Sequence, residues 1–150
     1  PPVRKRSIWR SLLPAMFDAP HPPSPYPIVG YAGLWLMVDE GHITTIAVAP
    51  SHRGQGIGEL LLNGLIDQAI EINAQRLTLE VRISNESAQR LYLKYGFHPS
   101  GTRPRYYTDN GEDALIMWTD VIHDEPFQKR LEELRERLAH RLQKQAGMMC

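Results

Sequence analysis

Residues 43–58 have the sequence ITTIAVAPSHRGQGIG, in which an apolar run passes through Pro50 into a loop that contains three glycines. The run 43–49 is rich in branched residues, which favour strands, and Pro50 ends it because proline cannot donate to a ladder. After the loop, apolar residues recur with the helical period of about 3.6 residues over positions 57–72. This stretch therefore predicts a strand, a glycine-rich loop and a helix in that order.

The neighbouring segments extend this pattern on both sides. Residues 28–38 and 42–49 flank the turn residues Asp39 to Gly41, which predicts a β-hairpin. Strict alternation of apolar and polar residues over 77–83 predicts a further strand. Strands and helices thus alternate along the chain, as they do in α/β and α+β domains.

The second half of the domain is predicted from caps and turns. Asn85 is a suitable N-cap for a short helix, and Gly96 is suited to the position that follows its end. Pro99 and Pro104 interrupt the next strand, which places it at an edge or across a bulge. Residues 109–111, Asp-Asn-Gly, predict a hairpin that returns the chain. The expected fold is a mixed sheet flanked by helices.

Three regions are expected along the chain. Residues 1–27 hold eight of the twelve prolines and the basic run at 4–6, which predicts a Pro-rich basic arm. Residues 28–122 form the predicted folded domain, and residues 123–150 an extra amphipathic helix with a tail. The apolar stripe of that helix is predicted to pack on its own domain or to pair with a second copy; its members are Phe127, Leu131, Leu134, Leu138 and Leu142.

Composition excludes several classes of function. The 17 Lys and Arg balance the 17 Asp and Glu, which argues against a nucleic-acid binder that acts through bulk charge. The single cysteine, Cys150, cannot form an internal disulfide, which predicts a cytoplasmic protein. Apolar runs fall short of the roughly 20 residues of a membrane span, and the six histidines lack metal-ligand spacing. Neither a membrane nor a metal is expected.

The glycine-rich loop is a candidate anion-binding site. Gly54, Gly56 and Gly58 would place bare amides at the positive end of a helix, where anions bind, and Arg53 can add a charged hydrogen bond. The loop lacks the Lys-Ser/Thr of a P-loop, and Glu59 replaces the third glycine of a dinucleotide fingerprint. Taken alone, the loop fits a phosphate site and a tight strand-to-helix turn equally well.

Two stretches together resemble a known family. The strand 43–48 followed by Arg53-x-x-Gly56-x-Gly58 is similar to the acetyl-CoA signature of the GCN5-related N-acetyltransferase (GNAT) superfamily. Residues 79–97, LEVRISNESAQRLYLKYGF, are similar to the RimI-type branch, the ribosomal-protein alanine N-acetyltransferases. Tyr106-Tyr107 and the residues 111–114 also match that branch.

The resemblance implies a cosubstrate and a set of site residues. Acetyl-CoA is the implied cosubstrate. By the resemblance, its pyrophosphate would bind to the loop amides, and its pantetheine arm would bind to the preceding strand and to Asn85. The implied base is Glu80 and the implied acid is Tyr92. The implied coenzyme contacts are Ile46, Val48, Arg53, Gly54, Gln55, Gly56, Gly58 and Asn85.

The residues themselves leave other roles open for the two catalytic candidates. Glu80 lies opposite the apolar row of its strand, so it faces either water or a cleft. Tyr92 shares a helical stripe with apolar residues, which also fits core packing. At an ordinary pKa of about 10, a tyrosine would protonate a thiolate of pKa about 8.5 at a cost of ~2 kcal/mol.

The resemblance also implies a function and one difference. The expected activity is acetyl transfer to the N-terminal amine of a protein, by resemblance a ribosomal-protein alanine. A non-catalytic acyl-CoA-binding or interaction module and a small-amine acetyltransferase are the alternatives. Family members normally begin with a strand, two helices and a strand, which residues 1–27 do not supply. We therefore expect a shortened version that exposes an apolar patch and acetylates weakly.

Overall fold

A computed structural model of the chain describes residues 25–148. The predicted basic arm, apart from its last three residues, and Cys150 lie outside this range. A short 3₁₀ turn at Pro50–His52 precedes the first helix. The other elements, in chain order, are β1 (Gly30–Met37), β2 (Glu40–Val48), α1 (Ile57–Glu71), β3 (Arg76–Arg82), α2 (Glu86–Lys94), β4 (Phe97–Arg103), β5 (Ala114–Thr119) and α3 (Glu125–Met148).

The strands form one mixed sheet in the order β1-β2-β3-β5-β4. The β2–β3 pair is parallel and the other pairs are antiparallel, so the predicted mixed α/β fold is confirmed. β4 lies at the edge and has an irregularity between Pro99 and Gly101, as predicted from Pro99 within it and Pro104 just after it. The predicted tight hairpin at 109–111 is instead part of a longer β4–β5 loop, in which Gly111 has a φ of 71°.

The parallel pair opens before either strand ends. Glu40 to Ile43 pair with Arg76 to Leu79, whereas β2 continues to Val48 and β3 to Arg82. A bulge in the β1–β2 ladder falls at the same level, where a Cβ on Gly33 would lie 2.6 Å from Thr44 Oγ1, so a side chain at Gly33 would force Thr44 to shift. Residues 44–48 and 80–82 thus face each other without pairing, and we call this opening the gap.

The hydrophobic core lies on one face of the sheet, under the helices. β3 shows the expected alternation, because Leu77, Leu79 and Val81 are buried while the residues between them are not. Each such side chain contributes roughly 1.5–3 kcal/mol when fully buried. The helices add the side chains Leu62, Leu65, Ile66, Ala69, Tyr92, Phe127, Leu131 and Leu134 to the same core.

The C-terminal helix packs across α1. Leu131, Leu134 and Leu138 are buried, and Arg135 forms a 2.6 Å ion pair with Asp67 of α1. Of the two arrangements expected from its leucine stripe, packing on its own domain is confirmed. Within residues 25–148, no helix has both the length and the apolar character that a bilayer span needs.

The opposite face of the sheet carries exposed aromatic side chains. A register row crosses the sheet from Trp35 through His42 and Thr78 to Trp118. Trp35 is 67% exposed and Trp118 is 39% exposed. The side chain of Glu80 projects on this same face, two residues beyond Thr78 on β3.

Candidate functional site

The glycine-rich loop ends in an uncapped helix N-terminus. Gly54 and Gly56 have φ values of 76° and 83°, in the left-handed region that favours glycine. Gly56 is the N-cap of α1 and makes no side-chain cap, and the first helical bond runs from Leu60 N to Gly56 O at 3.0 Å. Within residues 25–148, the amides of 54–59 meet no acceptor. This is the arrangement that binds an anion.

The backbone of β2 offers hydrogen-bonding groups to the gap. Ala49 N donates to Val29 O at 2.7 Å, so the odd-numbered residues at this end of β2 bond to β1. The N–H and C=O groups of Ile46 and Val48 therefore point away from β1, towards β3. Arg53 Nε donates to Val48 O at 3.3 Å on that side. An extended ligand could pair with this edge as a strand would.

The remaining coenzyme candidates lie around the same end of the sheet. Gly58 is inside α1, where an added Cβ would lie 3.8 Å from Val48 Cγ2, so the backbone itself does not require glycine. Gln55 is exposed in the loop. Asn85 caps α2 as predicted, since its Oδ1 accepts from Ala88 N at 3.1 Å. Asn85 follows β3 and the loop follows β2, so the structure places both at the carboxyl ends of the two diverging strands.

Glu80 is the first β3 residue beyond the pairing with β2. Its side chain is only 10% exposed, so it does not simply face water. Oε2 lies 2.6 Å from His42 Nε2, and Oε1 accepts from Arg103 Nε at 3.2 Å. Both carboxylate oxygens are therefore held by nitrogen groups from other strands, one on the adjacent β2 and one on the edge strand β4.

Tyr92 has a buried ring and an accessible hydroxyl. The ring belongs to the core, with its centroid 5.6 Å from that of Phe97. Its hydroxyl has no hydrogen-bond partner in residues 25–148, yet no fully buried side-chain N or O atom there lacks one, so the hydroxyl reaches the surface. Burial, followed by the neighbouring Tyr107, raises the pKa of Tyr92 to about 12.

Glu80 and Tyr92 lie on opposite faces of the sheet, Tyr92 in the core and Glu80 on the other face. Tyr107 lies close enough to act on Tyr92 and to be acted on by Glu80. Burial raises the pKa of Tyr107, against the lowering effect of Arg82, and Tyr106 and Glu80 raise it further. Strand pairing ends at Leu79, so the sheet is open between β2 and β3 at the level of Glu80, and Tyr107 interacts with both candidate groups.

Two residues at this site were not among the sequence candidates. His42 and Arg103 bind the carboxylate of Glu80 from 38 and 23 positions away in the chain. Alternation along β3 identifies the face on which Glu80 lies. It gives no register with β2 or β4, so no local signal could have identified the partners.

A comparison with protein-family models gives a match to the acetyltransferase (GNAT) family over residues 13–97. The chain belongs to this family. The match covers β1, β2, the glycine-rich loop, α1, β3 and α2, which include both strands that border the gap.

Curated relatives in the GNAT family carry acetyltransferase names. A Bacillus subtilis (strain 168) protein, provisionally named a ribosomal protein bS18-alanine N-acetyltransferase, is 51% identical over 94 residues, which are 63% of this chain and 62% of that protein. The ribosomal protein bS18-alanine N-acetyltransferase of Escherichia coli (strain K12) is 40% identical over 92 residues, 60% of this chain and 62% of that enzyme. The chain thus spans less than two thirds of the length of these relatives.

Solved structures show the same fold. The crystal structure of the ribosomal-protein-S18-alanine N-acetyltransferase from Escherichia coli matches with a TM-score of 0.57 at 39% identity, over 62% of this chain and 61% of that one. A GNAT family acetyltransferase from Elizabethkingia anophelis, solved with acetyl-CoA bound, matches with a TM-score of 0.59 at 26% identity, over 63% and 70% of the two chains.

Proposed function

We propose that the chain binds acetyl-CoA in the gap and transfers the acetyl group to an amine. The observation that carries this proposal is the continuity of the unpaired edge of β2 with the uncapped N-terminus of α1. An extended chain that ends in a diphosphate is a ligand that satisfies both features together. The family member solved with acetyl-CoA bound supports this assignment.

The residues of the site fit such a ligand. The amides from Gly54 to Gly58 would bind the diphosphate, and the Arg53 guanidinium would turn from Val48 O to add a charged hydrogen bond. The backbone groups of Ile46 and Val48 would hold the pantetheine amides. Asn85, whose Oδ1 caps α2, keeps its Nδ2 for the same arm.

The groups that accept the proton of the amine lie on the Glu80 side of the gap. When bound, acetyl-CoA supplies a thioester, and transfer forms the bond between amine nitrogen and acetyl carbon while the bond between carbon and sulfur breaks. An α-amine has a pKa of about 7.7 to 8.0, so about a tenth or somewhat more is already neutral at pH 7, and little base strength is needed to deprotonate the rest. Glu80 and His42 act as a pair: the carboxylate orients the imidazole and stabilises the positive charge that the proton brings.

Tyr92 donates the proton that the departing sulfur takes up. With the pKa of this phenol at about 12, donation to a thiolate of pKa about 8.5 is uphill by about 5 kcal/mol. The ~2 kcal/mol expected for an ordinary tyrosine is therefore wrong for the unliganded site. The accessible hydroxyl is the feature that fits this role, because a proton donor must be able to reach the departing sulfur.

The acceptor that we propose is the N-terminal amine of a protein. The names of the relatives from Bacillus subtilis and Escherichia coli point to a ribosomal-protein alanine. A small amine is the alternative acceptor, because a nourseothricin acetyltransferase also matches, with a TM-score of 0.57 at 31% identity. The exposed Trp35 and Trp118 favour a second alternative, an acyl-CoA-binding module that recruits a partner.

One assay separates these possibilities. The chain is incubated with acetyl-CoA and either alanine-first peptides, peptides with other first residues, or small amines, and the products are identified by mass spectrometry. Preferential acetylation of alanine-first peptides is expected. If calorimetry detects binding of coenzyme A but no amine is acetylated, the acyl-CoA-binding module is the function that remains. If calorimetry detects no binding, the proposal is overturned.

A further inference from the structure

The C-terminal helix contacts the glycine-rich loop, although it lies outside residues 13–97 that match the family. A Cβ added to Gly56 would lie 3.5 Å from Leu138 Cδ1 and 3.5 Å from Leu142 Cδ2. These leucines therefore pack directly beneath the residue that begins α1. α3 thus forms one wall of the loop that we assign to the diphosphate.

A charged cluster joins α3 to the same helix N-terminus. Glu59, in the first turn of α1, has a side chain that is only 7% exposed. Its carboxylate lies 2.6 Å from Arg141 of α3 and 2.9 Å from Lys94 at the end of α2, and it accepts from the hydroxyl of Tyr95 at 2.8 Å. The cluster of Glu59, Lys94 and Arg141 has two cations for one anion.

The state of Glu59 matters because of its position. Burial raises the pKa of Glu59, but the hydrogen bonds from Arg141, Lys94 and Tyr95 outweigh this effect, so the group is ionised at neutral pH. A carboxylate in the first turn of a helix is stabilised by the positive potential of the helix N-terminus, which is the same potential that stabilises a bound anionic ligand. With its two cations, Glu59 leaves a net positive charge behind the loop. Without Arg141, the cluster would be neutral and the carboxylate less firmly held.

We propose that α3 is part of the coenzyme site, with Arg141 as a positioning residue that neutralises Glu59 so that the loop accepts a diphosphate. This inference rests on the proposed binding of acetyl-CoA. Leu138 and Leu142 position the glycine-rich loop by packing against Gly56, and Arg141 makes the net charge of the cluster behind the loop positive. Neither needs to touch the ligand.

The test compares two arginines on the same helix. Arg141→Gln removes the partner of Glu59, whereas Arg135→Gln removes a partner of Asp67 and Asn63 farther along α1. Calorimetry with coenzyme A should show at least fivefold weaker binding for Arg141→Gln and no change for Arg135→Gln. Pantetheine, which has no diphosphate, should bind both variants as it binds the parent chain in an NMR titration.

A charge rescue distinguishes positioning from simple support. The double variant Glu59→Gln with Arg141→Gln has no carboxylate to repel the diphosphate, so its affinity for coenzyme A should return to within about twofold of the parent. Unchanged affinity in Arg141→Gln, equal weakening of pantetheine, or failure of the rescue would each overturn the inference. A parent chain that does not bind coenzyme A would instead overturn the proposed function and this inference with it.

Discussion

His42 Nε2 lies 2.6 Å from Glu80 Oε2, across two parallel strands whose pairing stops one residue before Glu80. His42 belongs to the part of β2 that pairs with β3, whereas Glu80 lies just beyond that part. The carboxylate of Glu80 therefore contacts the imidazole from the edge of the gap. Arg103 occupies the other carboxylate oxygen at 3.2 Å. The proton acceptor that we propose therefore consists of two side chains, held together by this contact.

The first prediction concerns this pair. Glu80→Gln and His42→Asn should each lower kcat/KM for the peptide amine by about 10²-fold, because general-base catalysis contributes that order of rate. The double variant should be little slower than either single variant, since the two residues act as a unit. Steady-state kinetics on the four proteins measures the coupling.

His98→Asn is the matched control for the His42 variant. His98 is on β4, where its imidazole lies 3.8 Å from Asp120 and its side chain is 46% exposed. This variant should keep kcat/KM within about twofold. If the effects of Glu80→Gln and His42→Asn multiplied independently, the two groups would not share one proton.

The second prediction separates two tyrosines at the end of α2. Tyr92→Phe removes a hydroxyl without a partner in residues 25–148, so it should lower kcat by at least tenfold with little change in stability. Tyr95→Phe removes a hydroxyl that bonds to Glu59 and Asn63, which should cost about 1–3 kcal/mol of unfolding free energy. Thermal melts and turnover at saturating acetyl-CoA measure both effects.

The opposite pattern would reassign Tyr92. A Tyr92→Phe protein that turns over at the parent rate would leave the tyrosine with a packing role only. The Tyr95→Phe protein should keep its turnover number, which shows that loss of a nearby phenol does not by itself slow the reaction.

Sequence reasoning succeeds here where the signal is local. Alternation fixes which face of β3 carries Glu80, Gly96 has the positive φ expected after the end of α2, and the Oδ1 of Asn85 caps the helix that follows it. Each of these depends on a few neighbouring residues, so the pattern and the structure agree.

Sequence reasoning fails where the site depends on register and on distant packing. Arg141 meets Glu59 from 82 positions away, and His42 meets Glu80 because the parallel register of β2 and β3 sets His42 opposite Thr78, two residues before Glu80. The leucine spacing of α3 predicts an apolar face, but it cannot tell which helix that face covers. The burial that raises the pKa of Tyr92 is likewise a property of the assembled core.

The third prediction uses two glycines of α1. Gly58→Ala introduces a helix-favouring residue in ordinary contact with Val48, so stability should rise by up to about 1 kcal/mol. The added methyl group would occupy the approach to the loop amides, so affinity for coenzyme A should fall at least tenfold. Melting temperature and calorimetry should therefore change in opposite directions.

Gly64→Ala is the control for that variant. Gly64 is in the same helix, and an added Cβ there would meet nothing within 4 Å. Its stability should rise by a similar amount with no change in affinity for coenzyme A. Equal affinities in all three proteins would mean that the diphosphate binds elsewhere.

The fourth prediction concerns acid stability of the β4–β5 loop. Glu112 accepts from Ser84 N at 2.7 Å, and the hydrogen bonds from Ser84, with help from Asn110 and Arg82, lower its pKa from 4.5 to about 2. The folded state thus binds this proton less readily than the unfolded state. The stabilisation is fully present above pH 4.5 and is lost as the pH falls towards 2.

Glu112→Gln isolates this contribution from those of other carboxylates. The pKa of Asp109 is also lowered, first by its hydrogen bond from Arg82, so the parent chain loses stability in acid for more than one reason. The difference in melting temperature between the parent and Glu112→Gln should be largest near neutral pH and should shrink below pH 4.5 to a small remainder near pH 2, where the carboxyl is half protonated in the folded state and almost fully protonated in the unfolded state. A difference that is undiminished at pH 2 would show that the amide fails for steric reasons rather than through loss of the charge.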